Sequence, residues 1–221
     1  MTGARLRFEG WIAGLGTSSG VRLVLGHWAR SPFGPFSDVM IERADGERLL
    51  LVPTGEIRDL VTSLYTFEEV RTGPVRVDVL RQHWTVTAPG LDLRFTTGPR
   101  GPLGRALRAV PGPLAVRPAW SALIDPAARL LSGARTRGES RSGCREWYGA
   151  RDLRPITTAT AVFEDRDLGP LAPVRPPVRF GFASVPRDPA AVRVTTTVAV
   201  GPHAPTDPTI PPLRWSHPSH P

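Results

Sequence analysis

Polar and apolar residues alternate along most of this chain, and a period of two admits extended strands and little else. Residues 6–13 set Leu6, Phe8, Gly10 and Ile12 against Arg7, Glu9 and Trp11. Residues 21–28 set Val21, Leu23 and Leu25 against Arg22 and Val24, and residues 91–97 set Leu91, Leu93 and Phe95 against Asp92, Arg94 and Thr96. The same reading predicts strands at 37–43, 47–52, 67–70, 75–80 and 84–88, then at 156–163, 178–183 and 192–200. Turn residues separate them: a glycine-rich stretch at 14–20, Ser31-Pro32-Phe33-Gly34-Pro35, and Asp45-Gly46, the strongest hairpin signal in the chain.

The period changes in few places. Ile57, Leu60, Val61 and Leu64 fall at helical spacing, with Thr54 as N-cap and Glu56 in the first turn, so a short helix over 54–65 should pack on the sheet. Proline-interrupted helical pieces are predicted around Leu103, Leu107 and Leu130, and residues 133–143 read as a polar loop of arginine and glycine. Pro176-Pro177 confines 174–178 to a sheet edge or a linker. Short strands without continuous βαβ alternation predict a mainly β fold, an antiparallel barrel or sandwich with one or two short helices. One domain is expected over 1–200, followed by a disordered tail over 201–221 rich in proline and histidine. A domain of that length buries roughly 70% of its unfolded surface, so folding needs no disulfide or metal.

Composition removes several chemistries. The chain has no lysine and no asparagine, a single glutamine (Gln82), and 28 basic residues that are all arginine. A GC-rich genome accounts for that bias, and it weakens the inference from the net charge of +8 to an anionic partner. Without lysine there is no Schiff-base lysine, so pyridoxal phosphate chemistry and lysine-catalysed decarboxylation are excluded, as are P-loop and kinase phosphate sites. Anions must be held by arginine, hydroxyls or backbone N–H groups. Cys144 is the only cysteine, which excludes an internal disulfide, a CxxC pair and an iron–sulfur cluster; it reads as an incidental thiol beside Arg141 and Arg145. Neither a cofactor nor a metal is expected. Residues 1–20 lack a signal-peptide pattern and no apolar run is long enough to span a bilayer, so a cytoplasmic, membrane-free protein is expected.

Four groups of residues merit consideration as sites. Gly16-Thr17-Ser18-Ser19-Gly20 matches G-x-S-x-G, but that elbow requires a helix after it, whereas a strand-like run follows here; a tight turn is the better reading. His27 and His83 are the only histidines before the tail, and either would need a carboxylate such as Asp38 or Asp78 to act as a general base. Trp11, His27 and Trp28 fall near the ends of the first two strands, where a barrel mouth would lie. The segment 135–154 mixes arginines with Trp147 and Tyr148, an arrangement able to clamp an anion and stack a planar group; Glu146 and Asp152 could instead pair those arginines. The strand around Val192, Val194 and Val198 reads as structural.

The runs Gly10-Trp11-Ile12-Ala13-Gly14-Leu15-Gly16-Thr17-Ser18-Ser19-Gly20, Ser31-Pro32-Phe33-Gly34, Glu146-Trp147-Tyr148-Gly149-Ala150-Arg151-Asp152 and Arg193-Val194-Thr195-Thr196-Thr197-Val198 resemble uncharacterised proteins of high-GC actinobacteria. That resemblance implies no activity and carries over no catalytic residue. Three functions follow from the residues themselves. The favoured one is a β-barrel protein that binds a small anionic or aromatic ligand, with Trp11, Trp28, His27, Asp38, Trp147, Tyr148, Arg151 and Asp152 as candidate contacts. The second is an enzyme using arginine, a carboxylate and His27 in such a cavity. The third, an arginine-driven nucleic-acid binder, lacks any RRM, helix-turn-helix or zinc-finger pattern.

Overall fold

In a computed structural model, residues 5–110, 137–139, 145–181 and 185–199 are described. Four strands, β1 (Arg5–Thr17), β2 (Arg22–Arg30), β3 (Phe36–Glu42) and β4 (Arg48–Val52), lead into helix α1 (Gly55–Leu64). Four more follow: β5 (Glu69–Thr72), β6 (Arg76–Leu80), β7 (His83–Ala88) and β8 (Leu91–Thr97). Helix α2 (Pro102–Ala109) precedes β9 (Arg137–Glu139), the long β10 (Arg145–Phe163), the short β11 (Arg166–Asp167) and β12 (Leu171–Ala172), and β13 (Ala190–Ala199). Hydrogen bonding runs in the order β5-β4-β3-β2-β1-β13-β10-β8-β7-β6. Every pairing along this path is antiparallel except β4–β5, which α1 connects as a crossover. The predicted mainly β class with short helices is the fold observed. It is a curled half-barrel: β5 and β6 are its edges and do not close on each other.

The two faces of the sheet hold separate cores, because adjacent strand residues point opposite ways. The inner core joins Ala13, Leu15, Leu23 and Leu25 of the first strands to Trp84, Val86, Leu93 and Phe95 across the trough. The outer core joins Leu6, Phe8, Val24 and Leu50 to α1 and to Val174, Val178 and Phe180. Helix α1 forms as its sequence requires: the Thr54 hydroxyl accepts from the Ile57 N–H, and Ile57, Leu60, Val61 and Leu64 are its buried face. One end of the trough is sealed. The Arg43 and Arg71 guanidiniums lie over the Phe163 ring at 5.1 and 5.6 Å. Both bond to Glu164, and those bonds, Arg43 first, hold its carboxyl down at about 2.

Two sequence expectations are corrected here. Residues 145–155 are strand, so β10 begins well before the expected start at 156: it pairs with β13 from Arg145 to Pro155 and with β9 at Arg145, Glu146 and Trp147. Neighbouring strands on both sides override the weak strand propensity of Gly149, Asp152 and Pro155. The strand expected at 178–183 is absent among the described residues, where the chain from Val174 to Phe180 instead lies as an irregular cover on the outer core. The 14–20 stretch completes β1 and turns into β2, with the Gly20 N–H bonded to the Thr17 carbonyl, so the G-x-S-x-G match is a hairpin turn. Cys144, the helical piece at Leu130 and the 201–221 tail lie outside the described residues.

Gly10 marks how tightly β1 and β2 approach. A Cβ there would sit 2.1 Å from the His27 carbonyl oxygen and 2.8 Å from the Trp28 Cα, beside the bulge between Glu9 and Gly10. Both obstacles are backbone, so the strand itself would have to move. Gly10→Ala is expected to lower stability by about 1–3 kcal/mol, measured by urea unfolding; an unchanged midpoint would contradict this packing.

Candidate functional site: the polar mouth of the trough

The strand register assembles one transverse row at the end opposite Glu164. His27 pairs with Trp11, Trp11 with Arg193, and Arg193 with Asp152. These residues come from β2, β1, β13 and β10, and directly opposite residues share a face. The face is the inner one, because Trp11 packs on the inner core and Ala13 and Ala191 of the next row belong to it. The row toward the rim holds Arg30, Glu9, Thr195 and Gly149. Thr195 is buried, and its hydroxyl has no partner among the described residues.

Aromatic rings line this mouth. Trp84 reaches across from β7 and meets Trp11 edge-to-face at 6.0 Å and His27 at 5.8 Å, while it stacks on Phe95 at 5.4 Å. The His27 Nδ1 lies 2.9 Å from the Ser37 hydroxyl, and burial pushes the imidazole below its ordinary pKa, so it is neutral at neutral pH. Charge comes from Arg100, Arg154 and Arg193 and from the carboxylate of Asp152. Asp152 is 1% exposed and accepts a bidentate pair from Arg100 at 2.8 Å. The Arg154 Nε lies 3.9 Å from the same carboxylate. Arg193 is exposed and has no ion-pair partner among the described residues. Asp152 neutralises one of these cations, which leaves a positive mouth.

The candidate residues divide across the sheet. Trp11, His27 and Asp152 converge in the row, and Arg151 sits at the β10 bulge between Ala150 and Asp152. Trp28 and Asp38 lie on the outer face, since each neighbours an inward residue, His27 and Ser37. There the Trp28 Nε1–H donates to Asp38 Oδ1 at 3.1 Å beneath a cluster of Phe8, Phe33 and Phe36. Gly26 makes room for that pair: a Cβ on it would lie 2.5 Å from Asp38 Oδ1. Asp38 therefore cannot serve His27 as partner; Ser37 does. Tyr148 is buried on the outer face, its hydroxyl 2.6 Å from that of Tyr65. Trp147 lies in β10, with its side chain outside the described residues.

Arg193, Trp84, Arg100 and Ser37 are the residues sequence reading missed. The valines of β13 drew attention to the apolar face, although Arg193 and Thr195 alternate with them on the other. A separate shallow groove of about 200 Å³ lies on the outer face of β7, β8 and β10, lined by His83, Thr85, Arg94 and Thr96 among others. Among the described residues no three His, Cys, Asp or Glu side chains gather as a metal site, and no helix is long and apolar enough to cross a membrane.

No family model matches this chain, and no curated protein matches it. Among solved structures it is similar to acetoacetate decarboxylase from Legionella pneumophila, at 9% identity and a TM-score of 0.41, over 90% of this chain and 86% of that one. A likeness this loose transfers no residue role.

Proposed function

We propose that this protein binds a small planar anion, an aromatic carboxylate, in the mouth of the half-barrel. The observation that carries the reading is the His27–Trp11–Arg193–Asp152 row, which sets aromatic rings beside a guanidinium that has no ion-pair partner among the described residues. Trp11 and Trp84 supply apolar contact, and Arg193 pairs with the carboxylate. Thr195, in the next row toward the rim, has a buried hydroxyl with no partner among the described residues. The Asp152–Arg100 pair positions the strand and keeps the carboxylate of Asp152 from repelling the ligand. Native mass spectrometry of the purified protein should detect a bound small molecule, and benzoate should quench tryptophan fluorescence saturably. Arg193→Ala should weaken benzoate binding at least about tenfold, the scale of one charge-assisted hydrogen bond. Binding by that variant equal to wild type, or no binding by either, defeats the proposal.

Neutral, half-buried His27 supports an enzymatic version, in which the imidazole takes a proton from the bound molecule. Its test is chemical: a ligand recovered unaltered after prolonged incubation leaves binding alone. The nucleic-acid reading draws less support, because Arg22, Arg43, Arg48, Arg71 and Arg100 are already paired with carboxylates.

A further inference from the structure

Strand β6 is a sheet edge whose outward hydrogen-bonding groups meet no partner among the described residues. Among the described residues it pairs only with β7, through a two-residue loop of Arg81 and Gln82 closed by Leu80 opposite His83. In such a hairpin the closing pair is hydrogen-bonded, and bonded pairs recur at every second residue. Arg76, Asp78 and Leu80 therefore bond inward to β7, and Val77 and Val79 turn their N–H and C=O groups to the free edge. Edges like this are normally blunted by bulges, proline or a covering segment. β6 has none of these among the described residues, and Val79 and Leu80 are 45% and 74% exposed.

An antiparallel partner must set outward residues opposite outward residues. For a second copy of this chain related by a two-fold axis, an axis at any residue of β6 satisfies that rule; one at Arg76 opposes two like guanidiniums, and one at Leu80 sets Asp78 opposite Gln82. An axis at Asp78 opposes two like carboxylates. An axis at Val79 sets Asp78 against an apolar Leu80. An axis at Val77 sets Arg76 against Asp78 and Val75 against Val79, each twice by symmetry. Arg76 and Asp78 are both exposed and have no ion-pair partner among the described residues. Only this register satisfies their charges while aligning the half-exposed valines of the other face.

We propose that the protein dimerises by pairing β6 with β6 of a second copy across a two-fold axis at Val77, with two reciprocal Arg76–Asp78 pairs. The interface is isologous and continues the sheet from β10, β8, β7 and β6 into the same strands of the partner. It is independent of the ligand reading.

Sedimentation velocity over roughly 1–100 µM, a span that brackets a weak-to-moderate dimer, decides the matter. The expected species is twice the 24.0 kDa of the chain. Arg76→Asp and Asp78→Arg should each weaken dimerisation at least about tenfold, because two attractions become two repulsions. The double swap Arg76→Asp with Asp78→Arg should restore it. In a Cys144→Ser background, Val77→Cys should form a covalent dimer on oxidation, since hydrogen-bonded partners lie about 5.5 Å apart. A wild-type monomer throughout overturns the proposal. So does a dimer indifferent to the single swaps, or one the double swap fails to restore.

Discussion

Replacement of Glu42 by alanine lowers the unfolding free energy by about 3–5 kcal/mol, the largest loss expected from any single carboxylate in this structure. Glu42 is fully buried, and it receives the Arg22 guanidinium at 2.9 Å, the Arg179 backbone N–H at 2.6 Å and the Arg179 Nε at 3.1 Å. Arg22 is itself 3% exposed, so without Glu42 a guanidinium is left in the outer core with, among the described residues, only the carbonyls of Gly20 and Arg43. A stranded buried charge costs far more than a broken surface pair. The loss corresponds to a fall in Tm of roughly 6–20 °C for a domain of this size. Replacing both partners, Arg22→Met with Glu42→Leu, should recover most of it, because the desolvation of both charges disappears together. Chemical denaturation of the three proteins checks this; a Glu42→Ala variant within 1 kcal/mol of wild type contradicts the burial of Arg22.

Asp38 produces the second large effect, and it depends on pH. Burial pushes its carboxyl up to about 7 from 3.8, partly offset by the hydrogen bond from Trp28. Between those two values the folded chain keeps a proton that the unfolded chain has released, so stability falls as pH rises from about 4 to about 7. A shift of about three units is worth about 4 kcal/mol once the carboxylate is fully ionised. Asp38→Asn keeps an oxygen for the Trp28 N–H and never ionises. It should match wild type near pH 4 and exceed it by up to about 4 kcal/mol at pH 8. His27 titrates with the opposite sign, since its lowered pKa favours the fold as pH rises, but it contributes equally to both proteins and cancels in the difference. Urea midpoints at the two pH values read the result; parallel pH profiles for the two proteins would place Asp38 in water.

A common cause lies behind both groups. The outer face of β2 and β3 is covered by the irregular chain from Val174 to Phe180 and by aromatic side chains, so polar residues there are buried as completely as those of the trough. In sequence Arg22 falls on the side of its strand opposite Val21, Leu23 and Leu25, and Glu42 near the end of the strand at 37–43. They are cross-strand partners sealed by a segment more than a hundred residues away in sequence.

The local rules of the chain were legible in its residues alone. The two-residue period places β1 to β4 and β6 to β8 within a few residues of their observed limits, and the spacing of Ile57, Leu60, Val61 and Leu64 with Thr54 defines α1. The absence of lysine excludes a Schiff-base lysine whatever the fold. Each of these is a property of neighbours in sequence. Tertiary structure decided which face is the interior and which strands lie side by side. Trp11 and His27 meet Arg193 and Asp152 only because β13, from the far end of the chain, inserts between β1 and β10. His27 and Trp28, adjacent in sequence, are sent to opposite cores by the pleat. Alternation announces two faces but assigns a neighbour to neither, and where both faces are covered, as along β1 and β13, the polar signal that would tell them apart is lost.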